Sequence, residues 1–339
     1  MSTIATVDAG FVPDITDETP VDRSAEITEE RGGRLATSAD LYRRWERQQW
    51  SVAEVNPRRD AEAWQALRPF SQNQLLGSLA ELEVGEVCVT QTLGSLTDHP
   101  QTEDDRIYLC TQMADEARHV RFFQTYLEDA CGVDLKEQEG RELEATADYA
   151  NVFAPELVRV TSQVRTDGSP EAWYRALVYY HLITEGVLAA TALRTTRFLA
   201  KRLQLAALDE GLTNVTRDES RHVSFGLRAA TDGVNAGYRE LIGEAHFEAI
   251  DMAAWVLIGP ARFNPAPALP VALAGRAAQL QGSVDIGRER LLKQLRIIGL
   301  PELTDSADQA WGAGIGKALD AYEERWETPH PIRAAAQAA

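Results

Sequence analysis

Cysteine is scarce in this chain. There are three, Cys88, Cys110 and Cys131, in 339 residues. Their number is odd and their spacing matches no metal knuckle, so neither a disulfide framework nor a thiolate metal site is expected, only buried free thiols. Positive charge is also in deficit. The chain carries 34 Lys and Arg against 52 Asp and Glu, a net charge of −18 and a pI near 4.8. A phosphate-binding surface needs the opposite sign, so nucleic acid is not an expected partner. The chain opens with no charged-then-apolar leader, and no apolar stretch of about 18 residues is free of charge. No transmembrane segment is therefore expected, and the location reads as cytoplasmic. An alternating strand pattern is missing too, which leaves an all-α fold class.

Apolar residues make up 44% of the chain, enough for a sizeable core. Residues 1–34 are polar and acidic with no helical stripe and read as a disordered tail. Residues 35–330 read as a single domain, and 331–339 as a flexible tail. Within the domain, short helices are expected over 42–50 and 60–67, ended by Asn56-Pro57 in the first case. Four long helices follow, at about 71–95, 103–130, 170–203 and 204–230. Less certain helical segments fill 134–168, with 156–164 among them. The first long helix carries an apolar stripe of Leu75, Leu79, Leu82, Val89 and Leu93, with Glu86 inside it and Glu81 and Glu83 off it. On the second, Ile107, Cys110, Met113, Phe123 and Leu127 are read as sharing the inner side. Gly132 ends that helix and Asp232-Gly233 closes the fourth. The third begins at Ser169-Pro170-Glu171, a helix start, and is apolar all round, as a buried helix is. Beyond a helix at 238–257 and a proline-rich connection at 259–270, two more are expected, at about 273–298 and 306–326.

Four carboxylates and two histidines stand out on the long helices: Glu86, Glu116-Ala-Arg-His119, Glu185 and Glu219-Ser-Arg-His222. In each Glu-x-x-His the two side chains share one helix face, one turn apart. A Glu from each of two helices plus a Glu-x-x-His from each of two others is the ligand set of a dinuclear metal site in a bundle core. Glu86 and Glu116 are 30 positions apart, Glu185 and Glu219 34, so one helical hairpin is in effect used twice. Four carboxylates offset two divalent cations, and the neutral assembly can be buried where unpaired carboxylates could not. Oxygen and imidazole donors suit iron or manganese. A further Glu-x-x-His at Glu327 is set aside because Pro329 breaks the helix. The plain alternative is a set of solvated helix faces with incidental histidines. Asp115 and Asp218 each precede a motif glutamate, and each either accepts a hydrogen bond from the histidine of the facing helix or is ordinary surface acidity. Gly186, Ala189, Ala190 and Thr191, after Glu185, either leave room near the metals or serve tight helix packing.

These residues, in this order, resemble the ribonucleotide reductase small-subunit superfamily of the ferritin-like fold. The local sequences resemble its R2-like ligand-binding oxidases: Trp45 to Trp50, Gly85-Glu86 with Val89-Thr90-Gln91, Asp115 to His119, Tyr180 with Glu185-Gly186, and Asp218-Glu219 with Arg221-His222. The likeness spans about residues 40–260. It implies a ferritin-like four-helix-bundle core with additional N- and C-terminal helices, and a homodimer. It implies one manganese, held by Glu86, Glu116 and His119, and one iron, held by Glu185, Glu219 and His222, with Glu116 bridging and Glu219 a second candidate bridge; a di-iron pair is the alternative. It further implies a bound long-chain fatty acid, activation of dioxygen for two-electron C–H oxidation, and an ether cross-link between Val89 and Tyr180. Val89 is one turn from Glu86 on the same face. Tyr180 is five residues before Glu185, about 140° away on a regular helix, and reaches the site only through a distortion such as a π-bulge. Regular geometry prefers His181. Where the family usually has a second glutamate after Gly85-Glu86, this chain has Val87.

Two other functions compete. A reductase small subunit would usually carry a radical tyrosine where Phe123 stands, and a tyrosine in a mobile tail, whereas Tyr322 falls in an expected helix. A metal-storage or structural bundle gives no reason for the extra C-terminal helices.

Overall fold

The computed structural model describes residues 35–135 and 147–338. The acidic segment 1–34 lies outside the described residues, so its expected disorder is untested. Among the described residues there are helices and no strands. Three short helices, α1 (Ser38–Arg47), α2 (Val52–Val55) and α3 (Ala61–Ala66), precede the bundle. Its four long helices are α4 (Pro69–Asp98), α5 (Glu103–Asp129), α7 (Pro170–Arg202) and α8 (Ala206–Gly233). Helix α6 (Ala154–Asp167) packs on α4. Then follow α9 (Arg239–Ile258), α10 (Pro270–Ile297), α11 (Thr304–Trp326) and α12 (Pro331–Ala338).

Local chemistry sets the ends of these helices. Thr102 caps α5 by accepting from the Asp105 amide, and Ser169 caps α7 by accepting from that of Ala172. Pro69, Pro170, Pro270 and Pro331 each occupy a first helical position, where the missing N–H costs nothing. The α8 cap comes from far away. Buried Asp60 accepts from the amides of Ala207 and Leu208 and from the Tyr126 hydroxyl, tying α8, α5 and the N-terminal segment together.

Helix α7 is long and apolar enough to cross a membrane, yet 83% of its most apolar window is buried inside the protein. It is the central helix of the core. The core itself falls into two apolar clusters. One gathers Val89, Leu109, Ile183, Val187 and Phe225. The other gathers Leu82, Phe122, Leu193 and Val215. On every bundle helix the singled-out Glu or Glu-x-x-His lies between a member of one cluster and a member of the other. A polar layer is thus sealed at both ends by hydrocarbon.

Several expectations need correction. Residues 331–338 are helical, and α12 packs along α10 with Pro331 buried. Its Pro-first, alanine-rich sequence is that of a good helix, and Arg333 pairs with Asp320 and Glu323 at 2.6 and 2.9 Å. Ile107, Cys110 and Met113 face outward. Stepping back by threes from Glu116 drifts around the helix at about 100° per residue, so Ile107 ends on the opposite side. The inner positions are Tyr108, Leu109 and Gln112 instead. Cys88 and Cys131 are only half-buried. Glu83 is buried, not solvated. Helix α8 does end at Gly233, as expected, where the missing Cβ admits the Tyr174 ring. The chain breaks later, at Gly237, where φ is 101°.

Candidate metal centre

The structure brings all six singled-out side chains together. Glu86, Glu116, His119 and Glu219 present donor atoms within 4.8 Å of one another, and so do Glu116, Glu185 and His222. His119 Nδ1 lies 3.3 Å from Glu86, 3.5 Å from Glu116 and 3.4 Å from Glu219. His222 Nδ1 lies 3.3 Å from Glu116, 3.4 Å from Glu219 and 3.7 Å from Glu185. Glu116 and Glu219 thus face both imidazoles, whereas Glu86 faces only His119 and Glu185 only His222.

The far nitrogens are held by aspartates from the opposite helix. His119 Nε2 lies 3.3 Å from Asp218 Oδ2, and His222 Nε2 3.3 Å from Asp115 Oδ2. With an ion bound, each Nε2 would keep its proton for the aspartate and each Nδ1 would turn a lone pair inward. The aspartates are fixed in turn. Trp45 Nε1 donates to Asp115 at 2.9 Å, and Trp50 Nε1 to Asp218 at 2.7 Å. Arg221 donates to both, at 2.9 and 2.6 Å, and Arg118 pairs with Asp115. Both arginines occupy the free positions of the Glu-x-x-His motifs. Those positions lead away from the cluster, into the layer that supports it.

Electrostatics marks the cluster as built for cations. Burial pushes the Glu86 carboxyl up to about 8 despite the nearby His119. Burial, reinforced by Glu219, raises Glu185 well above the carboxylate range. Glu219 goes the other way, to about 2, because His222 and His119 outweigh its burial. Both imidazoles, though buried, are raised well above 6.5, His119 chiefly by Glu86 and His222 by Glu219. Protons here do the work of missing positive charge. Three buried carboxylate oxygens, one each on Glu116, Glu185 and Glu219, and His222 Nδ1 have no hydrogen-bond partner. Orphaned acceptors are costly unless a cation meets them. The donor set fits two divalent ions of the iron or manganese kind.

Tyr180 also reaches the cluster. Residues Val178–Ala189 are wound as a π-helix, which turns Tyr180 inward. Its hydroxyl lies 3.4 Å from Glu116 Oε1 and 3.4 Å from the Val89 carbonyl oxygen. Val89 and Tyr180 are both buried. His181, the regular-helix favourite, is buried as well but points to Gln112, with its Nε2 3.0 Å from Gln112 Oε1. Burial lowers its pKa well below 6.5, so it is neutral.

Sequence reasoning missed Gln112. Its side-chain amide donates to Glu185 at 2.7 Å and Glu116 at 3.3 Å. It lies one turn before Glu116, and that spacing could have found it. Of the small residues after Glu185, Gly186 packs tightly against Gln294, while Ala189 and Thr191 line a cavity. That cavity, about 250 Å³, opens from Glu86, Val89, Glu185 and Glu219 and runs between α4, α7 and α10.

Fold and site together define an all-α, ferritin-like protein with a buried carboxylate–imidazole cluster for paired metals. Residues 36–250 match the family model of the ribonucleotide reductase small chain, and the chain belongs to that family. Solved structures share its fold. An R2-like ligand-binding oxidase from Sulfolobus acidocaldarius is 23% identical with a TM-score of 0.63, over 77% of this chain and 89% of that one. A single-substitution variant of an R2-like ligand-binding oxidase with an anaerobically reconstituted Mn/Fe cofactor is 22% identical with a TM-score of 0.65, over 78% and 94%. A second such variant is 22% identical with a TM-score of 0.64, over 82% and 98%.

Proposed function

We propose that this protein is a dinuclear manganese/iron oxidase that uses dioxygen for two-electron C–H oxidation, holds a long-chain, fatty-acid-like ligand in its cavity, and links Val89 to Tyr180 through an ether. Glu86, Glu116 and His119 hold one ion and Glu185, Glu219 and His222 the other, with Glu116 and Glu219 facing both. Manganese and iron are one each, and a di-iron pair is the variant of the same reading. The setting is cytoplasmic and the assembly a homodimer.

A bound metal pair supplies the reduction of dioxygen, and with it the oxidant for a neighbouring C–H bond. The chain's residues do the rest. Asp115 and Asp218 fix the tautomer and aim of the imidazoles. Gln112 holds Glu185 and Glu116 in register. The apolar clusters on either side keep water out. Tyr180 has a hydroxyl proton to give and Glu116 Oε1 to receive it. The cross-link would form a C–O bond from a Val89 C–H and the Tyr180 O–H, and the two protons and two electrons released would go to dioxygen.

The observation that carries this reading is the Tyr180 hydroxyl, delivered by the π-helix to within 3.4 Å of Glu116. The test is peptide mass spectrometry after loading with manganese and iron in air. A fused peptide carrying Val89 and Tyr180, about two hydrogens lighter than its parts, is expected, and Tyr180→Phe abolishes it. Unlinked peptides from protein with both metals bound would rule out the cross-link.

The reductase-subunit reading retains the support of the family match, but two positions oppose it. Phe123 is fully buried where a radical tyrosine would be. Tyr322 is buried in α11 and its hydroxyl donates to the Asn264 carbonyl. Nucleotide reduction on adding a large subunit would restore that reading. Two metals per chain, rather than a mineral load, separate both from storage.

A further inference from the structure

The two halves of the metal centre repeat one another almost residue for residue. Asp115-Glu-Ala-Arg-His119 on α5 and Asp218-Glu-Ser-Arg-His222 on α8 differ only at the middle position. Each aspartate meets the imidazole of the other motif, and each motif glutamate faces both imidazoles. The symmetry breaks one turn before each ligand glutamate. Four residues before Glu116 stands Gln112, and four before Glu219 stands Val215. Four before Glu185 stands His181, and four before Glu86 stands Leu82. Positions four apart share a helix face. All four of these side chains are buried. The two polar ones meet each other, with His181 Nε2 3.0 Å from Gln112 Oε1. The two apolar ones belong to one hydrocarbon cluster. A polar pair on α5 and α7 thus has, as its counterpart on α8 and α4, only Val215 and Leu82.

That difference falls on the carboxylates. The Gln112 amide donates to Glu185 at 2.7 Å and to Glu116 at 3.3 Å. Among the described residues no side-chain amide reaches Glu86, which meets His119 at 3.3 Å. With ions bound and the carboxylates charged, only the NH2 of Gln112 can face them. Its oxygen then faces His181, which must carry its proton on Nε2 to donate there. Burial keeps that imidazole neutral and leaves Nδ1, which has no hydrogen-bond partner, as the bare nitrogen. His181 is therefore a positioning residue, acting on Glu185 through Gln112. Iron(II) outbinds manganese(II) at a given set of oxygen and nitrogen donors. Two equivalent positions would both prefer iron to the same degree, so sorting the two ions requires positions that differ. An oriented ligand binds more tightly than one left to find its own aim.

We propose that the Gln112–His181 pair makes the two metal positions unequal, drawing iron to the Glu185–His222 position and leaving the Glu86–His119 position to manganese. This rests on the proposed oxidase reading and deepens it by naming the side chains that sort the ions.

The test loads the full chain, without oxygen, with one equivalent each of manganese(II) and iron(II). Anomalous diffraction at the two absorption edges then reads the occupancy of each position. In wild type the iron-to-manganese ratio at the Glu185–His222 position is expected to exceed that at the Glu86–His119 position by about tenfold or more. Gln112→Val, which copies Val215, and Gln112→Met, which keeps the length without the amide, are each expected to remove most of that difference. His181→Leu, which copies Leu82, is expected to do the same alone and to add nothing in the Gln112→Val background. Wild-type ratios in either Gln112 variant overturn the proposal, and an additive effect of His181→Leu overturns the role given to His181. Titration with manganese(II) alone, followed by its EPR signal, needs no iron. Wild type is expected to show two dissociation constants whose separation narrows about tenfold in Gln112→Val. A single shared constant in wild type, or a separation that Gln112→Val leaves unchanged, overturns the proposal. A chain that holds no metal refutes the oxidase reading as well, whereas two ions placed without regard to Gln112 refute the proposal alone.

Discussion

Gly226 is where helix α8 touches the π-wound part of α7, and replacing it sets two effects against each other. A Cβ there would stand 2.4 Å from the Cβ of His181. Carbon atoms in contact sit about 3.5–4.0 Å apart, so the shortfall is roughly 1.3 Å. No rotamer change relieves it, because a Cβ is fixed to its backbone. The helices must separate, in a region where His181 is held by Gln112 and Gln112 by Glu185. Gly226→Ala gains about 1 kcal/mol from helix propensity. Overpacking a tight interface costs about 1–3 kcal/mol, and a Cβ-to-Cβ clash that no rotamer relieves belongs at the upper end. The net expectation is a loss of about 2 kcal/mol, with weaker metal retention because Gln112 is displaced. Gly312→Ala is the control, since α11 leaves open space there and only the propensity gain remains. Urea unfolding of the two variants beside wild type, with metal per chain after dialysis, provides the readout. If Gly226→Ala unfolds at the same urea concentration as wild type or a higher one, the contact at His181 does not constrain the helices and the reasoning fails.

Three further outcomes are expected. Asp60→Ala removes the cap of α8 and strands the Tyr126 hydroxyl, a loss of about 2–3 kcal/mol in chemical denaturation, of which Asp60→Asn recovers part. His246 is buried with its pKa depressed to about 4, so the unfolded chain takes up its proton first as pH falls. Its contribution is complete above pH 6.5 and drains away toward pH 4, by on the order of 3 kcal/mol, and wild type minus His246→Gln should slope only in that window. Asp218→Asn leaves His119 without its carboxylate partner, and metal affinity should fall about 10–100-fold in competition with a chelator; unchanged affinity would remove Asp218 from the support of the site.

The cluster was legible because its spacing is a helical spacing. Glu-x-x-His places both side chains on one face whatever the tertiary context, and Glu86 and Glu185 stood out as acids in apolar stretches. Asp115 and Asp218 read equally as partners of the histidines or as surface acids, and only the packed helices decide between the two. Tyr180 could be placed only by resemblance. The π-winding that turns it inward is a property of the packed helix, with Gly226 and Gly186 letting α8 and α10 approach, and no local pattern announces it. The inner face of α5 was misread where apolar identity was allowed to override the 3.6-residue period, so that Cys110 and Met113 displaced Leu109 and Gln112.

The winding of Val178–Ala189 also makes this stretch more sensitive to length than to identity. A helix that bonds five residues ahead instead of four holds surplus chain over the same rise. Deleting one residue would let it relax to ordinary winding, still apolar and still helical. Leu193 and Ala200 could then keep their seats against α8, but Tyr180 and Glu185 could no longer face inward together. Such a shortened protein would be soluble, cooperative and inert, a well-folded bundle whose two halves no longer agree on where the centre is.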